Sequence, residues 1–144
     1  NIIPILCVGE TNTERLAGQT NQVMHDQVET ALANITSEDI TSLVIAYEPV
    51  WAIGTGSVAT PDQASSVAKV IRNDISELYG SEAAASVRIL YGGSVKPDLV
   101  SGFLRESEID GLLVGGASLN YRQFADIVAG ANRAAHNLKL KEDE

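Results

Sequence analysis

The sequence predicts an α/β fold in which parallel strands are each followed by a helix, and three observations carry that reading. First, four short apolar runs, at residues 2–8, 43–47, 87–91 and 111–114, lack the polar alternation of a half-exposed strand; strands buried on both faces of a parallel sheet read this way. Second, the segments between and after them place apolar residues at three- and four-residue spacing, the period of an amphipathic helix. Third, every apolar run stops at a loop of unusual chemistry: Gly9-Glu10-Thr11, Glu48 to Gly56, Gly92-Gly93-Ser94 and Gly115-Gly116. Both parallel architectures place ligands at the carboxyl ends of strands. Chemistry at four successive strand ends suits a barrel better than an open sheet, which concentrates its site at one switch point.

The elements follow in order as β-α-β-α-β-α-β-α. Residues 2–8 form the first strand, although Pro4 cannot donate a ladder hydrogen bond. A short helix is possible near 12–16. Residues 20–33 form a helix on Val23, Met24, Gln27, Val28, Ala31 and Leu32. Residues 43–47 are the second strand. Thr60-Pro61-Asp62-Gln63 is a helix start, with Thr as N-cap, Pro in the first position and Gln in the third. That helix runs on Ala64, Val67, Ala68, Ile71, Ile75 and Leu78 to about Tyr79 and ends at Gly80. The third strand, 87–91, is followed by a short helix over 96–105. The fourth, 111–114, is followed by a last helix over 121–138 and a charged, frayed tail over 139–144. No repeat, linker or low-complexity segment divides the chain, so residues 1–144 read as one unit of four βα modules.

At 144 residues with 44% hydrophobic and 20% charged residues the composition is that of a globular protein. No apolar run reaches the roughly 18 residues of a membrane helix, and no signal-peptide pattern opens the sequence. The lone Cys7 cannot form an internal disulfide, which suits a reducing, cytosolic setting. It reads as a small core residue of its strand. A net charge of −9 argues against a nucleic-acid partner and opposes any anionic ligand at long range. A phosphate site would therefore need local donors, which backbone N–H groups supply without Lys or Arg. His25 and His136 lie in separate helices without metal-ligand spacing, so no metal site or cofactor is expected.

Glu48 ends an apolar strand and stands beside Trp51, where partial desolvation would raise a carboxyl pKa toward the range of a general base. Taken singly, a strand-end Glu is more often an ion-pair partner or a cap. The segment around it changes the balance: Pro49, Val50, Trp51, Ala52, Ile53, Gly54, Thr55, Gly56, Ser57, Val58 and Ala59 combine a stiff Pro-Val-Trp hinge with a small, glycine-rich stretch, the composition of a movable lid. The glycine pairs Gly92-Gly93 and Gly115-Gly116 follow successive strands, where backbone could approach one bound group closely. Each pair alone is equally a tight turn; together, after neighbouring strands, they fit the phosphate site that barrels carry after their last two strands.

Four blocks carry a resemblance to triosephosphate isomerase, in that family's order and spacing: Pro4 to Thr11, Ala46 to Gly56, Tyr91 to Val95 and Asp110 to Leu119. The sequence resembles the C-terminal part of the enzyme over nearly its whole length. The resemblance implies a (βα)₄ half of a TIM (β/α)₈ barrel and interconversion of dihydroxyacetone phosphate and glyceraldehyde 3-phosphate through an enediolate. It implies Glu48 as the base, Pro49 to Ala59 as the lid, and Gly54, Ser94, Gly115 and Gly116 as the phosphate-binding groups. Tyr91 and Ser94 would latch the closed lid, and Glu10 would support the lid tryptophan, Trp51. A tuned Glu base and a closing loop are well-known properties of this enzyme.

The family's Lys and Asn from its first strand, and its His from the fourth, have no counterpart here. A whole barrel takes about 200 residues or more. The expectation is a chain inactive or nearly so by itself, its barrel closed by the missing N-terminal half or by a second copy. The alternative is a non-catalytic half-barrel that binds phosphate or self-assembles, since open apolar strand edges invite pairing.

Overall fold

The computed structural model describes the backbone of residues 2–142 and the side chains of residues 2–137. Four parallel strands form one sheet in sequence order: β1 (Ile5–Val8), β2 (Val44–Tyr47), β3 (Arg88–Gly93) and β4 (Gly111–Val114). In the register, Cys7 stands opposite Ala46, Ala46 opposite Leu90 and Leu90 opposite Gly111. Six helices accompany the strands: α1 (Asn12–Leu16), α2 (Thr20–Leu32), α3 (Pro61–Tyr79), α4 (Ser81–Ser86), α5 (Val100–Phe103) and α6 (Tyr121–Glu142).

Local chemistry explains most boundaries. Thr11 caps α1 with a reciprocal box to Glu14, and Thr60 does the same for α3 with Gln63, Pro61 taking the first helical position. Gly80 adopts φ 90°, ending α3 and opening α4. The sheet's helix-facing side holds Val8, Ile45, Tyr47, Ile89 and Tyr91, which pack with Met24 and Val28 of α2 and Val67, Ile71 and Ile75 of α3 in one core. At the other end of the strands, Arg72 of α3 donates to Glu108 and Asp110, both at 3.0 Å, and to the carbonyls of Ala84 and Val87. Asp110 in turn accepts from the Ile89 amide at 2.7 Å, so one guanidinium ties α3, α4 and the starts of β3 and β4 together.

Several expectations are corrected. The first strand begins at Ile5, not at residue 2; Pro4 contributes only its carbonyl, which accepts from Val44, and Ile2 and Ile3 stay exposed. Cys7 is exposed rather than a core residue. Its strand lies at the edge of the sheet, and covering the thiol would take further protein packed beyond these four strands. Helix α4 went unforeseen, its Ala83 and Ala84 buried against the core. The helix anticipated over 96–105 shrinks to Val100–Phe103, with a Lys96–Leu99 turn before it and a C-cap at Leu104. Helix α6 continues to Glu142, past the anticipated end at 138. Of the expected frayed tail, Asp143 and Glu144 lie outside the described residues.

Candidate active site at the carboxyl ends of the strands

Glu48 leaves β2 half-buried, its amide donating to the Val8 carbonyl at 2.7 Å. Two glycines shape its surroundings. A Cβ on Gly92 would sit 2.6 Å from Glu48 Cγ and Oε1, and one on Gly9 would sit 2.0 Å from the Glu48 carbonyl oxygen. Neither position therefore tolerates a side chain with Glu48 in place. Gln27 of α2 fixes Gly9 from behind: its Oε1 accepts from the Gly9 amide at 2.8 Å and its Nε2 donates to the Gly9 carbonyl at 3.2 Å. Cys7 is a neighbour of Glu48, and although the residue is exposed its thiol pKa is pushed up, first by partial desolvation of the sulfur and then by the Glu48 carboxylate.

The segment after Glu48 is anchored at both ends and exposed between them. Val50–Ala52 forms a 3₁₀ turn, with the Val50 amide donating to the Glu10 carbonyl at 3.0 Å. Glu10 is 1% exposed; its Oε1 accepts from Trp51 Nε1 at 2.8 Å and from the Tyr47 hydroxyl at 3.1 Å. Its Oε2 is buried without a hydrogen-bond partner among the described residues. Burial, then the Glu10 charge, drives the Tyr47 phenol pKa strongly upward, so this hydroxyl stays a donor to the carboxylate. The Arg15 guanidinium lies over the Trp51 ring, 4.0 Å from its centroid. Ser94 also holds this near end, donating to the Ala52 carbonyl at 2.9 Å, and at the far end the buried Ala59 donates to the Tyr91 hydroxyl at 3.3 Å. Residues 53–57 between these anchors are exposed, with Gly54 and Gly56 at φ 68° and 81°.

Gly54, Gly93, Ser94, Gly115 and Gly116 line one cavity of about 250 Å³. Thus the four positions anticipated as phosphate contacts converge on one space. Gly116 does not have positive φ, and a Cβ on it would meet no atom within 4 Å, so packing does not account for glycine there. The cavity adjoins Glu48 along the chain: Gly92 backs the carboxylate, while Gly93 and Ser94 line the cavity, a span of at most about 7 Å. Beside β1 a larger cleft, about 620 Å³, is lined by Cys7, Gly9, Gln27, Glu48, Val50 and Ile53 among others. Three participants escaped the sequence reading: Gln27, seen there only as a helix position; Arg15; and Lys96, which lines the small cavity. The position of Lys96 two residues after Ser94 was the available signal. Among the described residues no group of three or more His, Cys, Asp and Glu side chains is placed to hold a metal ion.

Four parallel βα modules with the Glu48 segment and the glycine-rich loops at one end of the sheet define a segment of a (β/α)₈ barrel. The chain belongs to the triosephosphate isomerase family, whose model matches residues 1–131. It is 60% identical over 125 residues to triosephosphate isomerase of Caldanaerobacter subterraneus subsp. tengcongensis, covering 87% of this chain and 50% of the relative. It is 52% identical over 128 residues to that of Clostridium beijerinckii (89% of this chain, 52% of the relative) and 54% identical over 127 residues to that of Dictyoglomus turgidum (88% and 51%). The chain spans about half the length of the curated relatives it matches.

Proposed function

We propose that this chain carries the base, the lid and the phosphate cradle of a triosephosphate isomerase, and that turnover requires a complementary N-terminal half-barrel. The observation that carries the reading is the adjacency of Glu48 to the glycine cavity, with one two-ended loop beside both. Glu48 takes a proton from the hydroxyl-bearing carbon next to the substrate carbonyl, giving an enediolate, and returns it to the former carbonyl carbon, while the hydroxyl proton passes from the first oxygen to the former carbonyl oxygen. One carbon is oxidised as its neighbour is reduced, so the isomerisation balances as a proton shift without an external oxidant. Gly54, Ser94, Gly115 and Gly116 hold the remote phosphate, and the segment 49–59 closes over the reacting carbons with Glu10 and Tyr91 steadying its two ends. Binding energy at the phosphate then serves closure and exclusion of water.

The electrophile that polarises the carbonyl lies in the complementary half, which would also cover β1 and β4. A cytosolic setting accords with the lone thiol, and no helix among the described residues is long and apolar enough to cross a membrane. The test is Glu48→Gln in the complemented assembly. Turnover of dihydroxyacetone phosphate should fall by about 10²–10⁴-fold with phosphate binding retained; unchanged turnover would remove Glu48 from the reaction.

A further inference from the structure

We propose that Lys96 is a phosphate-recognising residue of the glycine cavity, supplying the positive charge that its backbone donors lack; this rests on the phosphate reading above. Among the described residues lining that cavity, Lys96 has the only charged side chain. The neighbouring cleft beside β1 is lined by two carboxylates, Asp26 and Glu48, and by no Lys or Arg. Three other cations are engaged elsewhere. Arg72 is held in two ion pairs, while Arg15 and Arg122 lie over Trp51 and Tyr121. Lys96 takes part in no ion pair among the described residues.

The backbone of Lys96 is fixed while its side chain stays exposed. Val95 is buried just before it, and the Lys96 carbonyl accepts from the Leu99 amide at 3.1 Å. Gln123 of α6 lines the same cavity and offers an amide donor. The physical need follows from the charge: at −9, the chain repels a phosphate dianion before any backbone N–H can act. Neutral donors work at contact distance, whereas an ammonium acts over a Debye length of about 8 Å at physiological salt. Because Lys96 is exposed, its contribution is modest and salt-dependent.

The probe is inorganic phosphate at a pH that keeps it dianionic, titrated against the chain and followed by ³¹P NMR at low and high salt. Lys96→Gln should raise the dissociation constant about three- to fivefold at low salt, and the difference should shrink at high salt. Lys96→Arg should retain binding, and the exposed Lys69→Gln on α3 should leave it unchanged. Equal binding by wild type and Lys96→Gln, with wild type binding measurably, would overturn the role of Lys96 and leave the cradle standing. No binding by folded wild type would overturn the cradle itself, and Lys96 with it.

Discussion

Gly116 shows how a single missing Cβ can be assigned a purpose. Gly92 and Gly9 are glycine because Glu48 occupies the space a side chain would need. Gly116 has no such neighbour and no positive φ, so the open space in front of it is the reason left. Gly116→Ala should therefore leave stability within about 0.5 kcal/mol, or raise it slightly by restricting the unfolded chain. The same change should weaken inorganic phosphate binding, because the added methyl enters the cavity; urea unfolding and a ³¹P titration separate the two effects. An unaltered titration would contradict the cradle. Among single residues, the placement of Gly54, Ser94, Gly115 and Gly116 around one cavity was legible in the sequence. The sequence misled at Cys7, where an apolar context suggests burial but an edge strand leaves the thiol exposed.

Among the elements, the ends of the proposed lid are held by groups from different strand ends: Glu10 after β1, and Tyr91 and Ser94 at the end of β3. Those partners were legible through the family resemblance alone, since nothing within the segment itself names them. The contact between α2 and α3 contains a titratable link. His25 Nδ1 lies 3.2 Å from Asp74 Oδ1, and Nε2 lies 3.5 Å from Glu29. The Asp74 hydrogen bond, first, and the Glu29 charge hold the His25 pKa above its usual value. A folded-state pKa above the unfolded one stabilises the fold fully below about pH 6.5 and loses that contribution as pH rises through the folded value. Urea midpoints of wild type and His25→Asn should thus differ most in mild acid and converge at alkaline pH; a gap that widens with pH would contradict the link. The Thr60 cap was legible because its box is four residues long and local. Helix α4 was not, because an Ala-rich stretch after a glycine becomes helical only when the core accepts Ala83 and Ala84.

For the whole molecule, the decisive property is that the sheet has two ends. Among the described residues β1 and β4 each pair on one side only. A groove of about 800 Å³ runs beside β4, lined by Leu112, Val114, Phe124, Ile127, Val128 and Ala131 among others. At β1 the exposed Ile2, Ile3 and Ile5 add apolar surface. Unpaired parallel edges flanked by apolar side chains are templates for another half-barrel. The order of modules was legible from the alternation of runs and periods, since parallel neighbours need a crossover helix between them. Closure was not, because curvature and edge pairing depend on strands outside these modules. The proposed division puts base, lid and cradle in this chain and the electrophile in the complementary half. Its most direct test is the rate of interconversion of dihydroxyacetone phosphate and glyceraldehyde 3-phosphate by the 144-residue chain, alone and after adding the N-terminal half of a family relative. Background turnover alone and recovered turnover on addition are expected; full-rate turnover by the chain alone would contradict the division.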